Sequence, residues 1–462
     1  MLENIIIYIV TAFWFSSVPV AFLTLARFLK NKGVFVEKDL RRIYNDPKII
    51  FQITTRSASS TPVVKRGIHS IMSSCLKINY HNYVISVVSD DPDDIDTLRD
   101  TGKCEAIVVD KKFSTDAIKK GRALQYAVEY RRKLGTNTSE YWVFHMDEES
   151  YVTSQTVLSL LKFIRHGNAI ASEGPIFYPL KFESANFLTA IAESGRPFTC
   201  YHCVSYMTNP PPMHMHGSNL LVRSDIEDCI GWNFGPTLAE DEVFGYKIYE
   251  KYGSKSLGWH GGILLEQPPL SIKDHFMQRR RWILGRLQNI GKFPLIHRFK
   301  VTFELITYFL VFVTGIISPI LYLHSQIVPS LQVLLSSPSI PEINDRSNLN
   351  LTSWLFDIVS SHSIIHTLVN GNPIDISIGL MLMFSSMVWL LSYQVGLFMN
   401  LRYSKISWPR RILFHLQAMV LCPVIGLVET FPAFCAIIQY HIKNKINRTK
   451  AIQNYDFYVI SK

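Results

Sequence analysis

Residues 141–150 read YWVFHMDEES. A run of large apolar side chains ends there on three adjacent carboxylates, Asp147, Glu148 and Glu149. Like charges this close repel and raise one another's pKa unless a cation offsets them, so the cluster is either a hydrated loop or a seat for a divalent ion. On an extended backbone, alternation aims Asp147 and Glu149 to the same side, and two hard oxygen donors so placed suit Mg²⁺ or Mn²⁺ bridging a diphosphate. A second acidic group, Glu240, Asp241 and Glu242, reads either as a helix start favoured by the macrodipole or as the place of a carboxylate that takes a proton from a hydroxyl nucleophile. A third stretch, QRRRW at 278–282, lies in DHFMQRRRWILGRLQNI, where Phe276, Ile283, Leu284, Leu287 and Ile290 recur at helical spacing between arginines. That pattern predicts an amphipathic helix near 271–290 able to lie in a membrane interface.

The elements that must hold these groups are legible in the periodicity. KIIFQITTR (48–56), NYVISVVSDD (82–91), EAIVVD (105–110) and YWVFHM (141–146) read as strands, and GIHSIMSSCLKI and IKKGRALQYAVEYRRKL as helices between them. Strands alternating with helices imply an α/β domain with a mainly parallel sheet covered on both faces, whose ligands bind at the carboxyl ends of the strands. Three strands end in candidate ligand groups: Thr54, Thr55 and Arg56; Asp90 and Asp91; and Asp147 to Glu149.

The whole chain has 462 residues, 48% hydrophobic and only 18% charged, with mean hydropathy +0.13, which is too apolar for an ordinary soluble domain. Residues 4–26 form an uncharged run long enough to span a bilayer, read as an uncleaved anchor because Glu3 precedes it where a cleaved signal would be basic. Further apolar runs lie at 305–323, 376–399 and 412–438. This divides the chain into an anchor (1–30), a polar middle domain (31–300) and a membrane region with a short tail (301–462). Basic residues on both flanks of the middle domain, from Arg27 to Arg42 and from Arg286 to Lys300, place it in the cytosol. Pro423 and Pro432 inside the last run suggest a broken or re-entrant helical pair. Within it Glu429 should face protein or a lipid-acceptor cavity, unless the prolines bring that turn to the hydrated interface. The net charge of +10 comes with no RNA- or DNA-binding signature, so membrane and phosphate remain as partners and nucleic acid does not. Cys200, His202, Cys203, His214 and His216 have the ligand types of a zinc site, set in an irregular loop.

Five segments in order carry a resemblance: KKGRALQYA (119–127), HMDEES (145–150), HGSNLLVRSD (216–225), LAEDEVFGYKI (238–248) and QRRRW (278–282). Together they resemble the family 2 glycosyltransferases with the nucleotide-sugar-binding (GT-A-like) fold and, within them, the egghead-type β-1,4-mannosyltransferases. The resemblance implies that Thr55, Arg56, Asp90 and Lys120 bind the donor, with Asp90 at the nucleoside and Lys120 on the phosphate side. It puts Asp147 and Glu149 at the D-x-D metal position, with Mg²⁺ or Mn²⁺ as cofactor, and Asp241 at the acceptor-activating base. Gln278, Arg281 and Trp282 match Q-x-x-R-W, which closes over the donor diphosphate and the acceptor. Gly217, Ser218, Asn219, Glu240 and Trp282 face the acceptor, with Asn219 departing from the tyrosine of the egghead pattern.

The function so implied is an inverting transfer of mannose from GDP-mannose to glucosylceramide through a β-1,4 linkage. The enzyme would be a multi-pass protein of the endoplasmic reticulum or Golgi membrane with its catalytic domain cytosolic. A processive polysaccharide synthase of the same superfamily, or an inactive membrane scaffold with this fold, are the competing readings; the first needs a polymer channel, the second the loss of catalytic groups that are all present in the sequence.

Overall fold

The computed structural model describes residues 47–55, 61–91, 104–206, 215–295, 298, 299, 301–313, 316 and 373–446. The chain gathers into two compact units, one of residues 26–309 with 393–462 and one of residues 1–25 with 310–392. The first holds the sheet. The expected anchor at 4–26, Arg56, and the zinc-type side chains of Cys200, His202, Cys203 and His214 lie outside the described residues.

In chain order the first unit runs β1 (Lys48–Thr55), α1 (Thr61–Lys77), β2 (Tyr83–Ser89), β3 (Cys104–Val108), α2 (Lys119–Lys133), β4 (Tyr141–Asp147), β5 (Tyr151–Val152), α3 (Ser154–His166), β6 (Ala171–Glu173), β7 (Ile176–Phe177), α4 (Phe187–Tyr206), β8 (Leu220–Arg223), α5 (Ser224–Ile230), α6 (Glu240–Tyr252), β9 (Leu257–Trp259), β10 (Leu264–Leu265) and α7 (Ile272–Asn289). A short apolar helix, α8 (Val301–Val313), follows, and after the next described stretch come α9 (Pro373–Arg402) and α10 (Trp408–Ile446). The main sheet has the order β3-β2-β1-β4-β8-β6-β9, and β5-β10-β7 form a second, small one.

The expected α/β architecture is present, with one feature that periodicity did not carry. Strands β1, β2, β3 and β4 are parallel, whereas β8 runs antiparallel to both β4 and β6. Because β8 starts where β4 ends, pairing Leu220 with His145, the segment leading into it is delivered to the carboxyl end of the sheet. The register levels that end elsewhere too: Thr54 stands opposite Asp147, and Thr55 opposite Ser89.

Alternation along β1 and β4 sends successive residues to opposite layers. Ile49, Phe51 and Ile53 with Trp142, Phe144 and Met146 pack under α1 and α3 against Ile68, Ile71, Val157 and Leu160. Ile50 and Val143 face the other layer, with Leu124 and Val128 of α2, Phe244 and Ile248 of α6, and Trp232. Each such side chain, taken fully out of water, contributes about 1.5–3 kcal/mol. In that second layer lies a buried ionic node. Glu227 of α5, 0% exposed, accepts from Arg131 Nη2 at 2.5 Å and Trp232 Nε1 at 2.7 Å, with His145 Nε2 at 3.0 Å, while Arg131 also donates to Gln52 of β1. The node ties α2 and α5 to the two central strands.

Two expectations about the helices are corrected. The 412–438 run is not a broken pair: α10 is one helix of 39 residues that passes through Pro423 and Pro432. An interior proline removes one backbone donor and costs about 3 kcal/mol in a free helix, but α10 is packed along α7 and α4, and tertiary contact of that kind offsets the loss. Nor are the central apolar residues of α7 exposed. Ile283, Leu284 and Leu287 are covered by Val243 and Tyr246 of α6 and by Ala433 and Ala436 of α10. Among the described residues, Val424–Ile442 within α10 is long and apolar enough to cross a membrane.

The ionic node makes acid sensitivity a property of the fold. Burial pushes the Glu227 carboxyl up, but Arg131 and then His145 outweigh it, and its pKa falls from 4.5 to about 2. A carboxylate depressed on folding contributes stability that is complete above its unfolded pKa and is lost as pH falls through the folded one, so this contribution should disappear between pH 4.5 and about 2. Arg131→Leu strands a buried charge and should cost about 3–5 kcal/mol in denaturant unfolding at neutral pH; a loss under 1 kcal/mol would show the node to be dispensable.

Candidate active site

The site forms where the carboxyl ends of β1, β2 and β4 meet the starts of α2 and α6. Lys120, in the first turn of α2, lies at its centre. Its ammonium donates to the Asp147 carboxylate and, at 2.8 Å, to the carbonyl of Gly217. Burial alone would lower the Lys120 pKa, but Asp147, Glu240 and Asp241 together raise it, so the side chain is a fixed cation. A side chain at Gly217 would begin 3.0 Å from both Lys120 Nζ and Asp241 Oδ2, so a Cβ there would press on the point where lysine and aspartate converge.

Asp241 stands in the first turn of α6 and accepts from the Glu242 amide at 2.9 Å. Burial, with a further contribution from the Asp147 charge, raises its pKa against the pull of Lys120. Glu240 beside it is 7% exposed and is pushed up to about 7, first by burial and then by Asp241, with Lys120 and Arg281 opposing. Helix α7 holds this start of α6 in place. Gln288 accepts from the Leu238 amide at 3.1 Å, Asn289 donates to the Ala239 carbonyl at 2.8 Å, and Arg286 donates to Glu242 at 3.1 Å. Gly285 allows the two backbones this proximity, since a Cβ there would lie 2.8 Å from that of Ala239. The same helix carries Gln278, Arg281 and Trp282; Gln278 accepts from Arg279 at 3.2 Å, and the Trp282 ring lies against the guanidiniums of Arg196 and Arg279.

The acidic triplet does not continue the strand. β4 ends at Asp147, and the Ser150 amide bonds back to the Asp147 carbonyl at 3.1 Å, closing a turn over Glu148 and Glu149. Alternation therefore does not aim Glu149; the turn does. Glu148 is engaged by the Thr55 hydroxyl at 2.7 Å, and Glu149 is buried, 8% exposed. The sequence reading missed a fourth carboxylate. Glu266, just after β10 and 5% exposed, accepts from the hydroxyls of Ser218 at 2.7 Å and Ser150 at 3.0 Å. Burial, then the charges of Glu149 and Asp147, push its pKa up to about 8. Nothing local marks Glu266 in ILLEQPP; only the pairing of β10 with β5 and β7 brings it here.

Lys120, Asp147, Gly217, Ser218, Glu240, Asp241 and Arg281 are thus gathered by contact or by charge. Asp90, at the end of β2, is 37% exposed and pairs with Arg122 of α2 at 3.1 Å. Asn219 sits behind the site rather than in it. It is 0% exposed, in the left-handed region at φ 62°, and its amide nitrogen donates to the carbonyls of Pro175 and Gly262, both at 2.9 Å. Asparagine tolerates that left-handed backbone better than most non-glycine residues. His216 lies 3.3 Å from Glu173, a 1% exposed carboxyl that burial pushes up to about 8.

Crowded carboxylates give the site a testable signature. A carboxyl whose pKa rises from 4.5 to about 8 on folding holds a proton that the unfolded chain releases, so it subtracts stability progressively as pH rises through that window. Glu266→Gln should therefore raise the melting temperature of the metal-free protein more at pH 8 than at pH 5. Equal shifts at the two pH values would show that Glu266 is not strained by its neighbours.

Known proteins are similar to this chain over part of its length. The β-1,4-mannosyltransferase egh of Drosophila melanogaster is 27% identical over 255 residues, 52% of each chain. The β-1,4-mannosyltransferase bre-3 of Caenorhabditis elegans is 25% identical over 261 residues, 54% of this chain and 55% of that one. The chain thus matches about half the length of these curated relatives. Among solved structures, the mannosyltransferase PcManGT from Pyrobaculum calidifontis in complex with GDP-Man and Mn²⁺ is 12% identical with a TM-score of 0.43, covering 93% of this chain and 98% of its own. The family model described as glycosyl transferase family group 2 matches residues 142–426, from the start of β4 through α6 and α7 to the middle of α10, and this chain belongs to that family.

Proposed function

We propose that the protein is an inverting β-1,4-mannosyltransferase that moves mannose from GDP-mannose to the glucose of a glucosylceramide-type lipid at the cytosolic face of an endoplasmic reticulum or Golgi membrane. The observation that carries the reading is the convergence of Asp241, Lys120 and Asp147 around Gly217, which sets the proposed base beside a phosphate-side cation and a carboxylate suited to a divalent ion. The sugar and linkage follow the names of the curated relatives. The membrane setting rests on the apolar segment Val424–Ile442 and on the apolar runs of the sequence.

In the proposed reaction the acceptor hydroxyl oxygen bonds to the anomeric carbon of mannose from the face opposite the diphosphate. Its proton passes to Asp241, and the bond from that carbon to the diphosphate oxygen breaks, its electron pair leaving with GDP. A general base of this kind is worth about 10²–10⁴ in rate. Burial and the Asp147 charge raise the pKa of Asp241, which makes its carboxylate a stronger base than a free aspartate. Lys120 and Arg281 supply positive charge for the leaving diphosphate. Asp90, Thr55 and Arg56 bind the rest of the donor, and Gly217, Ser218, Glu240 and Trp282 face the acceptor.

Among the described residues, no three metal-ligating side chains form a ready-made cage. Mg²⁺ or Mn²⁺ at a diphosphate needs only one or two carboxylates from the protein, with substrate oxygens completing the shell. The donors present fit: Asp147 and Glu149 raise the pKa of Glu266, a concentration of negative charge that a divalent ion relieves. Asp147 and Glu149 would hold the ion, which would neutralise charge on the departing diphosphate.

Detergent-solubilised protein given GDP-mannose, Mn²⁺ and glucosylceramide should form one product, mannosyl-glucosylceramide, identified by mass, and chelator should abolish it until Mn²⁺ or Mg²⁺ is restored. Product from UDP-sugars alone, or a ladder of polymer, would refute the assignment. Asp241→Asn keeps shape but cannot take the proton, so turnover should drop about a hundredfold or more while GDP-mannose still binds; an unchanged turnover number would remove Asp241 from the mechanism.

A further inference from the structure

Trp282 is held by a buried ion cluster to which three helices contribute. The guanidinium carbons of Arg196 and Arg279 lie 4.2 and 4.5 Å from the centre of its ring. Both guanidiniums converge on Glu193 of α4, which is 0% exposed: Arg279 Nη2 donates to it at 2.8 Å, and Arg196 Nε lies at 3.8 Å. Arg279 uses the rest of its fork on Glu429 of α10, with Nε donating to Oε2 at 2.8 Å and Nη2 to Oε1 at 3.1 Å. His275, one turn before Arg279, lies between the carboxylates at 3.3 Å from Glu193 and 3.4 Å from Glu429.

Glu429 sits inside the apolar segment Val424–Ile442, where an unpaired charge is costly. Its partner is not a neighbour in sequence but an arginine three residues before Trp282, on the helix that carries the Q-x-x-R-W residues. Bidentate pairing of guanidinium with carboxylate fixes orientation as well as distance. The pairing therefore sets the rotation of α10 against α7, and through Arg279 it sets one flank of the Trp282 ring. Glu193 sets both flanks, since Arg196 and Arg279 each answer to it.

We propose that Glu193 and Glu429 are positioning residues for transfer: through Arg279 and Arg196 they hold Trp282 in the orientation that receives the acceptor, so that the seating of α10 is coupled to acceptor use. The proposal rests on the transferase reading above, and it assigns Glu429 a function at a site that its own helix does not line.

Glu429→Gln preserves shape and removes the charge that anchors the Arg279 fork. The Michaelis constant for the lipid acceptor should rise, or turnover fall, by about tenfold, with the affinity for GDP-mannose unchanged and Glu429→Asp restoring most of the loss. A second readout does not depend on activity. The Trp282 fluorescence, taken as the difference between each protein and its Trp282→Phe counterpart, should become more accessible to acrylamide in Glu429→Gln. If that variant fails to fold, Arg279→Lys, which keeps the charge and loses the fork, should give the same two changes. Wild-type acceptor kinetics together with unchanged quenching in the folded variant would overturn the proposal. Wild-type protein inactive with GDP-mannose and glucosylceramide would sink the transferase reading, while the quenching comparison would still decide whether this cluster holds Trp282.

Discussion

A single ammonium group makes the active end of the sheet possible. Asp147, Glu240 and Asp241 come from two separate elements, and burial raises the pKa of both Glu240 and Asp241. Lys120 is the cation that acts on all three. It is available because α2 begins at this level of the sheet, and it can approach because position 217 has no side chain to block it. Burial, with the charges of Glu149 and Asp147, makes Glu266 hold its proton more tightly. Functional sites commonly store electrostatic strain that the bound substrate or ion relieves, and this one stores it beside the cation it already has.

Around that core the fold uses buried ion pairs where apolar packing would hold the chain but not orient it. The Arg131–Glu227 pair stands beneath the sheet and joins α2, the helix of Lys120, to β1 and β4. The Glu193–Arg279–Glu429 cluster stands beside the site and joins α4, α7 and α10. Desolvating such charges costs nearly as much as their attraction returns, so they add little net stability; what they supply is a defined geometry, because a fork-shaped guanidinium accepts few alternatives. Trp282 and Lys120 each stand on a helix located by one of these clusters.

Helix α7 links the two halves of the proposed chemistry. One edge holds the Leu238–Glu242 segment through Gln288, Asn289, Arg286 and the close contact at Gly285, which fixes the proposed base. Its middle carries Gln278, Arg281 and Trp282. Its apolar residues, which by pattern suit a membrane surface equally well, are spent on α6 and α10. Periodicity states that a helix has an apolar face, but not what covers it.

The sequence by itself determined the strands β1 to β4 and the helices α1 and α2, because alternation and 3.6-residue spacing are local properties of the chain. It also marked the acidic groups at Asp147–Glu149 and Glu240–Glu242 as candidates, since clustered carboxylates need compensation, while Lys120 and Arg281 were singled out through the family resemblance. Only the tertiary structure decided where Asp147 and Glu149 point, because a hydrogen bond from Ser150 turns the chain where extension was expected. It alone buried Asn219, whose amide reaches the carbonyls of Pro175 and Gly262 in two loops far from it in sequence. Glu266 and Glu193 carried no motif, and they matter through neighbours more than 40 residues away in the chain. Glu429 shows the limit most plainly: a lone carboxylate in an apolar run has a cost that sequence can state, but its remedy, Arg279, is 150 residues distant and becomes visible only once α7 and α10 are packed together.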